Sequence, residues 1–310
     1  MIISASRRTD IPAFYSEWFF NRLKEGYVLV PNPYDADRLG YAELSPKNVD
    51  CIVFWTKDPT PMLDKFRRLD GMGYRYCVHF TLTPYGKDIE PNLPSKAELL
   101  RTFRRMSERI GIERSVWRYD PVMVDGEHPV GWHLDRFEKM CEELRGHTER
   151  CFISFVDPYK SLENRFRALT GDEMKDIATG FSGIAKANGI EIFTCAEKAD
   201  LSVHGIGHGA CIDRKLMERI TGHRMAAKKD ANQRTECLCI EAVDIGAYDT
   251  CTHGCSYCYA VSSPRSASRR RAAHDPSSPM LIGRPSGNET VTDRTKGSQK
   301  DSQTDLLRYK

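Results

Sequence analysis

Two apolar stretches decide the fold. Residues 51–56 read Cys-Ile-Val-Phe-Trp-Thr, and residues 151–156 read Cys-Phe-Ile-Ser-Phe-Val. Both are continuous apolar runs rich in β-branched and aromatic residues, and neither alternates apolar with polar side chains as a half-exposed strand does. Runs of this kind are typical of strands in a parallel sheet that is covered on both faces. We therefore expect an α/β protein built around these two strands.

Outward from these runs, short apolar strands alternate with amphipathic stretches. The other predicted strands are Met1–Ser6, Tyr76–Thr83, Ser115–Tyr119 and Ile190–Cys195. The predicted helices are Phe14–Lys24, Pro61–Leu69, Lys96–Ile110, Leu134–Arg145 and Asp172–Ala187. Six strands separated by helices predict a parallel sheet, and both a flat doubly wound sheet and a barrel satisfy this pattern.

The residues that follow the strands favour the barrel. Each predicted strand ends in polar or charged residues, which would converge on one mouth of a barrel, where enzymes of this fold place their sites. We therefore expect a (β/α)6 partial TIM-type barrel, although βα loops are also polar simply because they meet solvent. Cationic groups there would bind an anionic substrate, and carboxylates would position it or move protons. The candidate catalytic residues are Arg7, Arg8, Asp10, Lys57, Arg118, Asp120, Asp157 and Glu197.

The charge distribution separates the tail from the rest of the chain. Residues 262–310 contain ten basic and five acidic residues, a net charge of +5, which leaves −2 for residues 1–261 from the total of +3. Because duplex binding relies on neutralising phosphates, nucleic acid is not an expected partner. We expect a barrel over 1–197, a cysteine-rich cluster-binding extension over 198–260, and a basic tail over 261–310 that is partly docked and partly disordered.

The sequence has neither of the two marks of a membrane or exported protein. No apolar run approaches the roughly 18 residues that span a bilayer. The first residues, Met-Ile-Ile-Ser-Ala-Ser-Arg-Arg, contain no long apolar region of a secretory signal. We therefore expect a cytoplasmic protein with no membrane partner, in a compartment where disulfides are rare.

The cysteines are unevenly distributed. Four of the 11 lie in residues 1–194, and seven lie between 195 and 258. An odd number fits a disulfide framework poorly, and clustered thiols in such a compartment are more often metal ligands or redox groups. Free cysteine buries readily, so the four early residues are expected in the core. These four are Cys51, Cys77, Cys141 and Cys151.

The strongest chemical motif is Cys251-Thr-His-Gly-Cys255-Ser-Tyr-Cys258. Three thiols at spacings of three and two residues can surround one metal centre from a single loop. Soft thiolates select zinc, copper(I) or an iron–sulfur cluster. Structural zinc takes four ligands and a [4Fe–4S] cluster normally takes four cysteines, so this loop leaves one coordination position to be filled from elsewhere.

This motif resembles the cluster-binding motif of radical S-adenosylmethionine (SAM) enzymes, in which an aromatic residue precedes the last cysteine. The resemblance implies that Cys251, Cys255 and Cys258 hold three irons of a [4Fe–4S] cluster and that the fourth iron chelates SAM. Reductive cleavage of SAM then yields a 5′-deoxyadenosyl radical that abstracts hydrogen from the substrate. By the same resemblance, Tyr257 would lie near the adenine, and Trp55 is a second candidate cofactor contact.

The position of the motif differs from that of most radical SAM enzymes. In those enzymes it follows the first strand, whereas here it follows all six predicted strands. The Gly-Gly-Glu segment that often follows the second strand is also missing, because the second strand here ends in Trp55-Thr56-Lys57-Asp58. The motif would then reach the barrel mouth from the C-terminal side, as in a permuted arrangement.

A closer resemblance covers nearly the whole chain. The segments that carry it are Ser6–Pro12, Phe54–Lys57, Arg118–Pro121, Cys195–Glu197 and Asp244–Tyr248. With these segments the chain is similar to an uncharacterised prokaryotic family, a domain of unknown function whose members end in the same cysteine-rich Tyr-Cys-Tyr-Ala sequence. This resemblance implies membership of a family but no reaction.

The other four late cysteines form a second candidate metal site. Cys237 and Cys239 present two thiols from one side of an extended segment, and Cys195 and Cys211 precede them. Four thiols suffice for a zinc ion or a closed iron–sulfur cluster. The alternative is that Cys195 and Cys211 are small buried apolar residues.

We therefore predict an iron–sulfur protein that is a radical-SAM-like oxidoreductase, lyase or transferase. Its partners would be an electron donor and a small-molecule substrate. Two alternatives stay open. One is a structural zinc or closed-cluster binding module whose basic tail contacts nucleic acid, and the other is an electron-transfer protein that does not use SAM.

Overall fold

The structure is a computed structural model, and it describes residues 1–157 and 165–301. The strands in these residues are β1 Ile2–Ala5, β2 Tyr27–Asn32, β3 Asp35–Glu43, β4 Cys51–Thr56, β5 Tyr76–Thr81, β6 Ser115–Val122, β7 Arg150–Phe155, β8 Glu191–Cys195, β9 Gly207–Gly209, β10 Val243–Asp244 and β11 Thr290–Asp293. The α-helices are α1 Ile11–Phe14, α2 Ser16–Glu25, α3 Phe66–Gly71, α4 Lys96–Ile110, α5 Val130–Leu144, α6 Gly171–Ala187, α7 Arg214–Thr221 and α8 Pro264–Ala272. Short 3₁₀ turns lie at Thr60–Lys65, Ile112–Arg114 and Ser202–His204.

A parallel sheet of eight strands forms the centre of the described residues. Its order is β10-β1-β4-β5-β6-β7-β8-β9, and every neighbouring pair is parallel. Six of these strands are the predicted ones, and they lie side by side in chain order. Because all eight run in the same direction, their carboxyl ends meet at one edge of the sheet.

The α/β class and the parallel sheet are thus confirmed. The two outer strands, β9 and β10, do not pair with each other within the described residues, so the sheet is open. The partial TIM-type barrel is therefore not confirmed, because closure of the ring would need a hydrogen-bonded ladder between the first and last strands. How the chain divides into folding units stays a prediction.

The two faces of the sheet are covered by different parts of the chain. Alternate strand residues such as Ile52 and Phe54 pack with the helices that connect the strands. Their neighbours, such as Cys51 and Val53, pack instead against residues 210–240, including α7. Each face therefore has an apolar cover, which explains the uninterrupted apolar character of the strand sequences.

The helix boundaries follow local capping signals. Helix α4 begins after Ser95, whose side chain accepts from the Glu98 backbone while Glu98 reaches back to the Ser95 backbone, and it ends at Gly111. This capping box explains why the predicted range matches the observed one. Helix α6 begins with the same arrangement at Thr170 and Glu173.

A small second sheet was not predicted. It has the order β11-β3-β2, with β2 and β3 antiparallel and β11 parallel to β3. The strand β3 contains Asp35, Asp37 and Gly40, which are depleted in strands, so its composition gave no strand signal. No helix within the described ranges has the length and apolarity needed to cross a bilayer.

Candidate functional site

A cavity of about 600 Å³ opens at the carboxyl edge of the large sheet. Seven of the eight candidate catalytic residues line it, and so do both candidate cofactor contacts. The predicted convergence of the strand ends is therefore observed in this open sheet. The predicted residues that line the cavity are Arg7, Arg8, Trp55, Lys57, Arg118, Asp120, Asp157, Cys195, Glu197, Cys211, Cys237, Cys239, Tyr257 and Cys258.

One wall of the cavity is cationic. The Arg7 guanidinium lies 5.0 Å from the centre of the Trp55 ring, and its buried Nη2 has no hydrogen-bond partner in the described residues. Burial alone would lower the pKa of Arg7, but the nearby thiols of Cys239 and Cys211 outweigh this effect and raise the pKa. Arg8, in contrast, is paired with Asp244 at 2.9 Å. Arg7 is therefore a buried cation available to an anionic ligand.

The cavity is also lined by carboxylates. Asp120 is paired with Arg118, and Ser154 donates a hydrogen bond to its other oxygen. Glu197 accepts a hydrogen bond from the backbone N–H of Phe155 at 2.8 Å. Burial raises the pKa of Glu197 to about 7, and the negative charges of nearby carboxylates add to this rise. The Glu197 carboxyl can therefore hold or release a proton near neutral pH.

A buried ion network joins this cavity to the cysteine loop. The Glu90 carboxylate is 1% exposed and pairs with Lys57 at 2.7 Å and with Lys96. The hydroxyl of Tyr257 donates to the same carboxylate, and Lys57 Nζ lies 5.2 Å from the centre of the Tyr257 ring. Glu90 thus fixes the aromatic residue that precedes Cys258.

The loop from 251 to 258 lies between two cavities. Cys251, Cys255 and Cys258 all line a second cavity of about 630 Å³, and Cys258 also lines the first. Burial raises the pKa of all three thiols, that of Cys255 to about 12. Buried thiols of this kind ionise when a cation is bound beside them, since a metal stabilises the thiolate.

Three parts of the chain hold this loop in place. Nε2 of His253 donates to Asp10 Oδ2 at 2.7 Å, and the Thr9 hydroxyl lies 2.8 Å from that of Thr250. The Ile89 carbonyl, in the segment that follows β5, accepts a hydrogen bond from the Ser256 backbone N–H at 2.9 Å. From α8, Arg271 donates to the Thr252 hydroxyl at 2.6 Å.

Asp10 is the candidate catalytic residue that does not line the first cavity. Its Oδ1 accepts from the Ala13 backbone at 2.9 Å and thereby caps α1. Its Oδ2 accepts from the Lys57 backbone at 2.8 Å as well as from His253. These contacts make Asp10 a positioning residue for the loop.

The remaining four late cysteines also meet in the first cavity. Sγ of Cys195 and Sγ of Cys211 are 2.7 Å apart, and Arg118 Nη1 donates to Cys211 Sγ at 2.8 Å. Contacts with Cys195 and Cys239 hold the pKa of the Cys211 thiol well below its ordinary value. The four early cysteines are buried in the core, as predicted.

Several residues of the site were missed by the sequence reasoning. Glu90 lies in a loop, five residues before Ser95, with no strand end or metal-type spacing to mark it. Asp244 receives hydrogen bonds from Ser4, Ser6 and Arg8, which joins β10 to β1. It lies in the segment Asp244–Tyr248, which is one of those that carry the family resemblance, and this was a usable signal.

The donor set of the 251–258 loop is three thiols that line one cavity. Soft thiolates hold zinc, copper(I) or an iron–sulfur cluster. Within the described residues, no three cysteine sulfurs lie mutually within 4.8 Å. By the chemistry of its donors, the loop fits a thiolate-bound metal centre.

Fold and site together define an α/β protein with an open parallel sheet and a cysteine-lined cavity at the carboxyl edge of that sheet. Residues 2–260 match the family model described as "Domain of unknown function (DUF1848)". The match spans more than half of the chain, so the chain belongs to this family, as its resemblance predicted. No curated protein and no solved structure matches the chain. The family description names no reaction.

Proposed function

We propose that this protein is a radical-SAM-like enzyme. In this proposal Cys251, Cys255 and Cys258 hold three irons of a [4Fe–4S] cluster, and SAM and a substrate occupy the cavity at the carboxyl edge of the sheet. When bound, such a cluster supplies an electron to SAM and so provides radical chemistry, while the protein supplies orientation and excludes water. A separate electron donor would reduce the cluster.

The position of β10 carries the proposal. Val243 and Asp244 pair in parallel with Ile3 and Ser4 of β1, so the segment that follows β10 leaves at the carboxyl edge of the sheet. That segment is the cysteine loop. The loop therefore follows an outer strand next to β1, which supports the permuted arrangement in which β10 stands where other radical SAM enzymes have their first strand.

The charges of the cavity suit a zwitterionic cofactor. Arg7 has a buried guanidinium nitrogen without a partner, and guanidinium forks bind carboxylates well. Asp120 and Glu197, which line the same cavity, would accept hydrogen bonds from an amino group or a hydroxyl. We assign Arg7 to the SAM carboxylate, and Asp120 and Glu197 to substrate positioning or proton transfer.

The aromatic residues suit the adenosine part of the cofactor. Tyr257 is fixed by its hydrogen bond to Glu90, and its ring packs 6.2 Å from that of Tyr85. Trp55 is stacked on His79, with 5.4 Å between ring centres. Rings held this rigidly lose little conformational entropy when a planar base packs on them.

The decisive experiment is anaerobic incubation of the iron-loaded protein with dithionite and SAM. We expect 5′-deoxyadenosine to form in the unaltered protein and to be lost in a Cys255→Ala variant. Cys141→Ala is the matched control, because Cys141 is a buried thiol in α5 that lines neither cavity, and this variant should retain the activity.

Other results would favour the alternatives. Cluster-loaded protein that forms no 5′-deoxyadenosine would exclude the radical SAM proposal and leave electron transfer. Colourless protein with stoichiometric zinc would instead favour a structural zinc module. A gel-shift assay with duplex DNA would then test whether the basic tail contacts nucleic acid.

A further inference from the structure

We infer that Cys195, Cys211, Cys237 and Cys239 form a second metal site, a four-thiolate [4Fe–4S] centre that faces the same cavity as the 251–258 loop. These four residues are called the cysteine tetrad below. This site is additional to the proposed SAM cluster, and its existence does not depend on that function.

Three separate parts of the chain bring the tetrad together. Cys195 ends β8, Cys211 follows β9, and the other two lie on the extended segment 237–239. The Cys195 and Cys211 sulfurs are in contact, and the Ile212 backbone N–H donates to Cys239 Sγ at 3.3 Å. All four thiols line the first cavity. Packing in the hydrophobic core would explain why the thiols are buried. It would not explain why all four line the same polar cavity.

The cations around the tetrad favour bound thiolates. Arg118 donates to Cys211 Sγ at 2.8 Å, and it is itself almost fully buried. Arg7 adds a second guanidinium beside this group, with its Nη2 unpartnered in the described residues. Arg118 is also paired with Asp120, whereas Arg7 keeps a buried guanidinium nitrogen without a hydrogen-bond partner in the described residues, and a buried charge is costly unless it is compensated. An anionic metal–thiolate centre supplies that compensation.

The groups around the tetrad suit an iron–sulfur cluster. The four thiols line one cavity, and the Ile212 backbone N–H and the Arg118 guanidinium donate to two of their sulfurs. Backbone N–H and guanidinium donors to cysteine sulfur are also the groups that tune iron–sulfur clusters. The cavity, at about 600 Å³, has room for a cluster of several atoms.

The tetrad also has a structural consequence. The extension that supplies Cys211, Cys237 and Cys239 covers one face of the large sheet through Ile212, Leu216 and Ile240. A centre that also binds Cys195 on β8 would tie this cover to the sheet. Loss of the metal should therefore loosen residues 210–240 more than the helices on the other face.

Iron counting on separate variants tests the inference. The protein is purified anaerobically and reconstituted with ferric iron, sulfide and dithiothreitol. We expect about eight irons per unaltered chain, and about four in a Cys251→Ala, Cys255→Ala, Cys258→Ala triple variant that keeps only the tetrad. A Cys211→Ala, Cys239→Ala double variant should keep about four at the loop. The Cys141→Ala control should keep the full iron content.

Spectroscopy of the triple variant identifies the metal centre. After reduction it should show the electron paramagnetic resonance signal of a [4Fe–4S] cluster while forming no 5′-deoxyadenosine. The inference is overturned if the triple variant holds no iron, if it binds one zinc instead, or if mass spectrometry finds Cys195 and Cys211 as a disulfide. If the triple variant does not fold, the Cys211→Ala, Cys239→Ala double variant decides, because an iron content equal to that of the unaltered chain would overturn the inference.

Discussion

Nε2 of His253 lies 2.7 Å from Oδ2 of Asp10, and both side chains are buried. Residues 243 apart in the sequence are thus joined at the centre of the cysteine loop. The same Asp10 carboxylate accepts the Lys57 backbone N–H and caps α1. One side chain therefore fixes the loop relative to the ends of two neighbouring strands.

We predict that Asp10→Ala lowers the free energy of unfolding by about 2–3 kcal/mol, because three buried or partly buried donors lose their acceptor. It should also reduce the iron bound at the loop. Asp58→Ala is the control: Asp58 accepts a backbone N–H from Thr60 and makes no hydrogen bond to the loop within the described residues. Urea denaturation and iron content measure the two effects. Equal stability and equal iron in both variants would contradict the positioning role.

A glycine at the junction of β10 and the loop gives a second prediction. A Cβ added at Gly246 would overlap Ser6 Oγ and lie 2.8 Å from Thr9 Oγ1. Ser6 cannot move away freely, because its hydroxyl is bound to Asp244 at 2.6 Å. Gly246→Ala should therefore destabilise the protein by about 1–3 kcal/mol, as overpacking does.

The control for Gly246 is Gly131. It lies in α5, and a Cβ built there meets no atom within 4 Å. Gly131→Ala should leave stability unchanged or raise it by up to about 1 kcal/mol, because alanine favours the helix. Thermal and urea unfolding of both variants provide the measurement. If both substitutions changed the free energy of unfolding equally, close packing after β10 would not be the reason for a glycine at position 246.

The strands of the large sheet could be predicted because their sequences carry the signal locally. Cys51–Thr56 is apolar throughout, and each of the six predicted strands is observed with small shifts at its ends. The strands β9 and β10 have only three and two residues, too short for periodicity to mark them. They form because β8 and β1 offer unpaired edges, and this is a tertiary effect.

The site was predictable in part for the same reason. Strand ends are recognisable in the sequence, so Arg7, Arg118 and Glu197 could be expected at one edge of the sheet. Glu90 could not be predicted as a site residue, because the two lysines and the tyrosine that contact its carboxylate are brought to it only by the fold. The role of Asp10 as a positioning residue likewise depends on His253, which is distant in sequence.

Glu90 makes stability depend on pH. Burial alone would raise its pKa, but the ammonium groups of Lys57 and Lys96 outweigh burial and hold the pKa at about 2, below the ordinary 4.5. A lowered folded-state pKa contributes stability that is complete above pH 4.5 and is lost as pH falls towards 2. At 1.36 kcal/mol per unit, this contribution is about 3 kcal/mol.

We therefore expect Glu90→Gln to be about 3 kcal/mol less stable than the unaltered protein at pH 7, with the difference shrinking below pH 4.5. Glu143→Gln is the control, since Glu143 pairs with Arg104 at the surface and such pairs contribute little. Urea unfolding at several pH values measures both. A difference between Glu90→Gln and the unaltered protein that did not change between pH 6 and pH 3 would contradict the ion network.

Arg7 separates cofactor binding from metal binding. Its guanidinium is held by Trp55 and keeps one buried nitrogen without a partner in the described residues. If that nitrogen binds the SAM carboxylate, the charge-assisted hydrogen bond contributes about 1.5–3 kcal/mol. Arg7→Met should then raise the SAM concentration for half-maximal 5′-deoxyadenosine formation by about 10- to 100-fold. The surface variant Arg104→Met should leave that concentration unchanged.

The iron content of Arg7→Met distinguishes the two anions that Arg7 could bind, which are the SAM carboxylate and the thiolates of the tetrad. Unchanged iron with weaker SAM dependence would assign Arg7 to the cofactor, as proposed. Loss of about half of the iron with unchanged SAM dependence would assign it to the tetrad instead, because Cys239 and Cys211 are the thiols that most raise its pKa. No change in either quantity would show that the buried guanidinium binds neither, and it would remove the electrostatic support for both sites.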